Sequence, residues 1–221
     1  MKKIYICLLF FLLHGCSVLE SNNIAPGYTQ AFSAIKNAVI GYENTTITPQ
    51  LVESIPYASS LIRIGKGPYG LMILERQEKN TTTWITADGV YFVMEKGKII
   101  KTKGLSNNIS NMLMPHPFSR SDLLSLNKDI VYKYYYSYDF PKLSDLEVSV
   151  TYVIRGKSTI ELLNQKKELI LVQEELRNDF IGWNVVNNYW VDTDSFVWKS
   201  EQYISPRLPK ISYEVTKKPS T

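Results

Sequence analysis

Between Tyr57 and Gly104 the sequence is cut at short intervals by residues that stop regular structure. The stretches between the cuts are too short for packed helices, which want about ten or more periodic residues, but they suit strands. Tyr57 to Ile64 ends at Gly65-Lys66-Gly67-Pro68, and Tyr69 to Glu75 is followed by Glu78-Lys79-Asn80. Thr81 to Ala87 meets Asp88-Gly89, Val90 to Glu95 meets Lys96-Gly97, and Lys98 to Lys103 stops at Gly104. The runs carry β-branched and aromatic residues, and the breaks carry the residues that tolerate turn conformations. Asp88-Gly89 predicts a tight hairpin of type I′, the turn that demands positive φ. The segment therefore reads as an antiparallel meander.

The same texture returns downstream. Strands are predicted at Asp129 to Tyr138, Leu146 to Arg155, Thr159 to Leu163, Trp183 to Val191, Phe196 to Ile204 and Ile211 to Val215. Asp192-Thr193-Asp194-Ser195 supplies another hairpin. Glu168 to Leu176 fits a buried strand by its alternation, with a helix left open. Leu105 to Asn127 is less regular and admits short helices, with Ser121-Asp122 as a start. Nearer the N-terminus, Tyr28, Phe32, Ile35 and Val39 repeat at helical spacing, and Thr48-Pro49 reads as a cap and first helical residue. The sum is an all-β, mainly antiparallel fold, a sandwich or incomplete barrel with one or two short N-terminal helices.

The N-terminus says where such a domain works. Met1-Lys2-Lys3 is basic, and the apolar run Ile4 to Leu13 is far shorter than the roughly 20 residues a spanning helix needs. It has the length of a signal-peptide core. Leu13-His14-Gly15-Cys16 resembles the bacterial lipobox, although His14 is an unusual neighbour for the cysteine. That resemblance implies cleavage before Cys16 and acylation of Cys16. Ser17, where inner-membrane retention usually shows Asp, implies the outer membrane by the same resemblance. The expected organisation is a removed signal at 1–15, a lipidated polar tether at 16–26 and one β-rich domain at 27–221. Buried acyl chains, at about 0.8 kcal/mol per methylene, would hold the protein on the membrane, facing the periplasm.

Processing also strips the chain of reactive groups. Of the 2 cysteines, Cys7 leaves with the signal and Cys16 is lipidated, so neither a disulfide nor a thiol nucleophile is expected. Of the 2 histidines, only His116 stays, held between Pro115 and Pro117 in what reads as a rigid loop. A Cys/His zinc site is thereby excluded, and no Gly-x-Ser-x-Gly elbow supports a triad. The formal net charge of +4 drops by two with Lys2 and Lys3, too little to argue for nucleic acid. Gly65-Lys66-Gly67-Pro68-Tyr69-Gly70 matches a dinucleotide fingerprint in letters, but Pro68 and a strand stand where a helix must open. Asp192-Thr193-Asp194 could suggest a metal-binding pair; a solvated hairpin fits better. No catalytic residue, metal or cofactor is assigned, and the protein is expected not to be an enzyme.

One cluster invites a binding role. Tyr132, Tyr134, Tyr136 and Tyr138 alternate along a predicted strand and share one face, with Tyr135 on the other. Such a ladder could stack on sugar rings, making these four the candidate glycan-contacting aromatics. It equally suits a half-wet sheet face with buried rings and hydroxyls reaching water.

Several segments together resemble the YjbF-type family of group 4 capsule polysaccharide lipoproteins. They are Trp84-Ile85-Thr86-Ala87-Asp88-Gly89 with Gly97 to Leu105, then Asn188-Tyr189-Trp190-Val191-Asp192 and Val197 to Gln202 with Pro206, and finally Lys217-Lys218-Pro219. The resemblance implies an antiparallel β lipoprotein without known catalytic residues. It implies a role in capsule or exopolysaccharide assembly or export, with the polysaccharide or envelope export proteins as partners and the membrane reached through Cys16. Two other readings stay open. One is a lipoprotein-localisation (LolB-like) module, whose curved sheet would shelter acyl chains in a large apolar concavity. The other is a periplasmic glycan hydrolase, which needs two carboxylates facing each other in space.

Overall fold

The computed structural model describes residues 47–114, 130–163 and 165–220. The signal segment, Cys16, the tether, the helix expected from Tyr28, His116 and the Ser121-Asp122 start lie outside the described residues. Thr48 caps helix α1 (Pro49–Ser54) as its sequence suggests, its hydroxyl accepting from the Leu51 amide at 3.3 Å. The meander follows as β1 (Ser59–Ile64), β2 (Gly70–Gln77), β3 (Thr81–Thr86), β4 (Tyr91–Glu95) and β5 (Lys98–Lys103). Next come β6 (Ile109–Leu113), β7 (Tyr132–Tyr138), β8 (Leu143–Leu162) and β9 (Gln165–Asn178). The last three are β10 (Trp183–Val191), β11 (Val197–Gln202) and β12 (Ile211–Lys217).

All belong to one 12-stranded antiparallel sheet, ordered β5-β4-β3-β2-β1-β12-β11-β10-β9-β8-β7-β6. The two ends of that order, β5 and β6, are neighbours in sequence, and the sheet curls until they nearly meet. At the seam the Ile109 amide donates to the Thr102 hydroxyl at 3.0 Å. The result is a nearly closed barrel, which solves the edge-strand problem by bringing both edges together. Its interior is solid. Met72, Phe92, Tyr134, Tyr152, Val172, Tyr189 and Ile211 are all buried in one continuous cluster. Outside the wall, Val52 and Ile55 of the α1 region cover Leu61, Leu71, Ile73 and Ile85 of β1–β3.

Three local expectations are corrected, and one left open is settled. Ile109–Leu113 is strand β6, not part of a helical stretch. The runs Leu146 to Arg155 and Thr159 to Leu163 are one strand, joined through a bulge at Ile154/Gly156 where Gly156 takes φ +113°. The segment Glu168 to Leu176, open between strand and helix, lies within β9. The type I′ turn falls on Lys96-Gly97, both at positive φ, rather than on Asp88-Gly89. There only Gly89 is left-handed, and its amide donates to the Thr86 carbonyl at 3.0 Å. That is a three-residue loop ending in a glycine bulge.

Strand length has a consequence at one mouth of the barrel. β9 leaves β10 at the pair Ile170–Val191, whereas β8 and β9 stay paired as far as Leu162 opposite Gln165. The overhanging hairpin lies across its neighbours: Lys167 sits 3.9 Å above the Trp198 ring, and the Leu163 amide donates to the Glu214 carboxylate.

Gly97 is where the wall is tightest. A Cβ there would lie 2.5 Å from the Val197 Cβ and 2.7 Å from the Tyr213 hydroxyl, at φ +89°. Gly97→Ala is expected to cost about 3 kcal/mol in urea unfolding, from overpacking and backbone strain together. Gly89 has φ +84° but open space around it, so Gly89→Ala should cost only about 1 kcal/mol, the left-handed penalty alone. Equal losses at the two sites would refute the close packing at Gly97.

Candidate functional site

β7 alternates as its sequence suggests, but its tyrosine face turns inward. Tyr134, Tyr136 and Tyr138 are buried, while Tyr132 is half-buried. Their tips meet protein rather than water. The Tyr134 and Tyr152 hydroxyls are 2.9 Å apart, and the Tyr138 hydroxyl donates to the Ile204 carbonyl at 3.0 Å. The Tyr136 ring stands edge-on to Trp183 at 5.7 Å. Three of the four candidate glycan-contacting rings thus offer no face to an external sugar; period two located the shared face but not its direction. Tyr135 points outward and donates to Glu147 at 3.4 Å.

Tyr134 borders a charge pair inside the barrel, reaching it through Tyr152 and lying with its ring 5.4 Å from the Lys98 ammonium. Lys98 of β5 donates to both carboxylate oxygens of Glu174 of β9, at 2.5 and 2.7 Å. The side chains are only 2% and 0% exposed. Glu174 also accepts from the Tyr152 hydroxyl at 2.6 Å, and from Asn187 and Tyr189 at 2.9 Å each. Beside them Gln202 accepts from the Ile99 amide at 3.0 Å and donates to the Gly97 carbonyl at 2.9 Å. Burial alone would raise the Glu174 pKa, yet Lys98 and the converging donors hold it below the usual glutamate value. Burial likewise pulls Lys98 below the usual lysine value, partly offset by Glu174. With the pair sealed and its lone pairs engaged, the arrangement is suited to bracing the walls, not to exchanging protons with a substrate.

Asp192 is equally committed. One carboxylate oxygen accepts from the amides of Asp194 and Phe196 at 2.9 Å each, and the other from the Trp198 indole at 3.0 Å. The Asp192-Thr193-Asp194 sequence therefore builds a hairpin, with Ser195 at φ +59°. Among the described residues no group of three or more His, Cys, Asp or Glu side chains could hold a metal ion.

Among the open hollows is a cup at one mouth of the barrel, about 280 Å³ in volume. The β2–β3, β4–β5 and β10–β11 turns surround it, with the chain leaving β12. Ser60 and Tyr213 lie at its floor, Trp84, Met94 and Val197 line the walls with Phe196, and Lys79, Lys96 and Lys218 stand at the rim. Lys218 lies 4.4 Å above the Phe196 ring. Tyr213 donates to the Gly97 carbonyl at 2.8 Å, but the fully buried Ser60 hydroxyl has no hydrogen-bond partner. Sequence reasoning missed this cup, because its residues come from five separated segments. A faint signal existed: Trp84, Gly97, Val197, Lys218 and Pro219 all lie in the segments that carried the family resemblance.

Fold and site together define an antiparallel β-barrel-like protein with a sealed polar core and a cup at one mouth. The family model described as "Group 4 capsule polysaccharide lipoprotein gfcB, YjbF" matches residues 32–215, and the chain belongs to that family. It is 21% identical over 210 residues to the uncharacterized lipoprotein YjbF of Escherichia coli K12, covering 92% of each chain. To the uncharacterized lipoprotein GfcB of the same organism it is 18% identical over 199 residues, covering 87% of each. The crystal structure of the hypothetical lipoprotein YmcC, also from Escherichia coli K12, shares the fold with a TM-score of 0.75 at 18% identity. That match covers 89% of this chain and 98% of the other.

Two measurements probe the core. Lys98→Met or Glu174→Gln alone should destabilise by about 3–5 kcal/mol, since each leaves a charge buried without its partner. The double variant should recover most of that loss; additive losses in urea titrations would show the pair to be uncoupled. The second measurement is pH. Because Glu174 is depressed in the folded state, its contribution is complete above its unfolded value of about 4.3 and is lost as pH falls further. Tyr134, Tyr136, Tyr138, Tyr152, Tyr189 and Tyr213 are all raised, first by burial. Their contribution is complete below about pH 10 and is lost above it. Phenolate absorbance should therefore rise in two phases, the exposed rings first and the buried rings only with unfolding. A single reversible phase would contradict the buried ladder.

Proposed function

We propose that this chain is an accessory lipoprotein, anchored in the outer membrane through Cys16 and facing the periplasm. It assists assembly or export of a capsule or exopolysaccharide without catalysing a reaction, by binding the polysaccharide or a secretion partner. Family membership across residues 32–215 carries this reading. The lipobox-like Leu13-His14-Gly15-Cys16 supports the anchor, and no helix among the described residues is long and apolar enough to cross a membrane. In this reading residues 1–15 are the signal, 16–26 the tether, and the remainder a single domain held at the membrane surface.

The acyl-sheltering alternative wants a large apolar hollow. Here the barrel interior is filled by side chains and crossed by an ion pair, which counts against it. The hydrolase alternative gains nothing from Glu174 or Asp192, whose carboxylates are taken up by internal donors.

Deleting the gene should reduce surface polymer, and plasmid-borne wild type should restore it. Cys16→Ser should abolish palmitate labelling, move the protein out of the outer-membrane fraction and fail to complement. Unchanged capsule and exopolysaccharide export in the deletion strain would overturn the assignment.

A further inference from the structure

We propose that the cup is a glycan-end site, taking one terminal sugar of an acidic saccharide with the sugar's anionic group toward the lysine rim. This rests on the polysaccharide-binding reading above and sharpens it to a place and a chemistry.

Shape comes first. The cup is blind: behind Ser60 and Tyr213 the barrel is packed, so a polymer cannot pass through, whereas a chain end can enter. A volume of about 280 Å³ is at the small end of ligand pockets and suits a short terminal unit.

The floor decides between a sugar and an acyl chain. Ser60 Oγ is fully buried, borders the cup and lacks a hydrogen-bond partner. A sugar hydroxyl entering from the mouth would satisfy it, while an acyl chain would seal it off unpaired. The walls fit the other half of a sugar. The Trp84 indole N–H is already donated to Thr82 at 2.9 Å, so Trp84 contributes ring surface rather than a donor. Trp84 and Met94 lie buried in the wall, and the half-buried Phe196 presents the apolar contact to the C–H face of a pyranose.

The rim decides the charge. Lys79, Lys96 and Lys218 stand there with Glu78 and Asp194. Glu78 is already engaged by Arg76 at 3.8 Å and by the Thr81 hydroxyl at 3.4 Å, and Asp194 is not free either. The balance favours an anion. The cup is also where segments distant in sequence meet, Trp84, Gly97, Val197 and Lys218 among them, all within the stretches that resemble the family.

The test uses full-length lipoprotein in nanodiscs, with calorimetry and tryptophan fluorescence as readouts. Trigalacturonate, maltotriose and decanoate are the probes. Trigalacturonate should bind about tenfold tighter than maltotriose, the preference an electropositive rim confers. Ser60→Ala should weaken that binding about fivefold, the loss of one hydrogen bond, without lowering the melting temperature. Lys79→Gln with Lys218→Gln should bring the affinity for trigalacturonate down toward that for maltotriose. Equal affinity for the two saccharides, an unaffected Ser60→Ala variant, or binding of decanoate alone would each overturn the proposal. An export defect on deletion, with no saccharide bound in vitro, rejects the cup as a glycan site and leaves the export role standing. Variant-sensitive trigalacturonate binding with normal export on deletion supports the site and rejects the export role.

Discussion

The structure is organised around two opposite charges buried inside a sheet that does not quite close. Lys98 and Glu174 lie 76 residues apart in sequence, on β5 and β9, and meet within the barrel. Removing both from water costs several kcal/mol per ion, so the pair persists only where further donors complete the carboxylate. That requirement explains why this core is rich in tyrosine. Tyr152 and Tyr189 fill space as large apolar rings and supply the hydroxyls that Glu174 demands. It also explains how a weak seam holds. β5 is an end of the sheet, yet its entry is fixed from within by Gln202 and Tyr213, both donating to the Gly97 carbonyl.

Much of this fold was legible because its turns are chemically explicit. Lys98–Lys103 and Trp183–Val191 are bounded in the sequence where they are bounded in space, since glycine or a polar break stands at their ends. β6 was illegible for the opposite reason: Ile109-Ser110-Asn111-Met112-Leu113 lacks clean alternation and sits at an edge, where β7 is its one ladder partner among the described strands. β8 looked like two strands because Gly156 reads as a break, whereas it is a bulge that re-aims a continuing strand.

The candidate site was far less legible. Alternation places Tyr134, Tyr136 and Tyr138 on one face but cannot say whether that face looks inward. The partners that receive this face lie elsewhere in the sequence: Tyr134 meets Tyr152, which donates to Glu174, and Tyr138 meets the Ile204 carbonyl, while ordinary patterning would assign Glu174 to solvent. Lys98 misleads in the same way. A lysine that opens a strand beside a Lys-Gly turn reads as a surface residue until its partner on β9 is known.

The same interior bracing shapes the mouth. Because Gly97 can come within reach of Val197 and Tyr213, the β4–β5 turn is drawn across the barrel end and closes the floor of the cup. Ser60 lies where this closure leaves room beside it, a hydroxyl that the core does not engage. Residues that complete Glu174 are satisfied by the fold itself; Ser60 is not, and a native structure rarely leaves such a group buried without a reason. The polar core therefore separates two kinds of side chain at this mouth: those consumed in holding the barrel shut, and those left facing whatever enters.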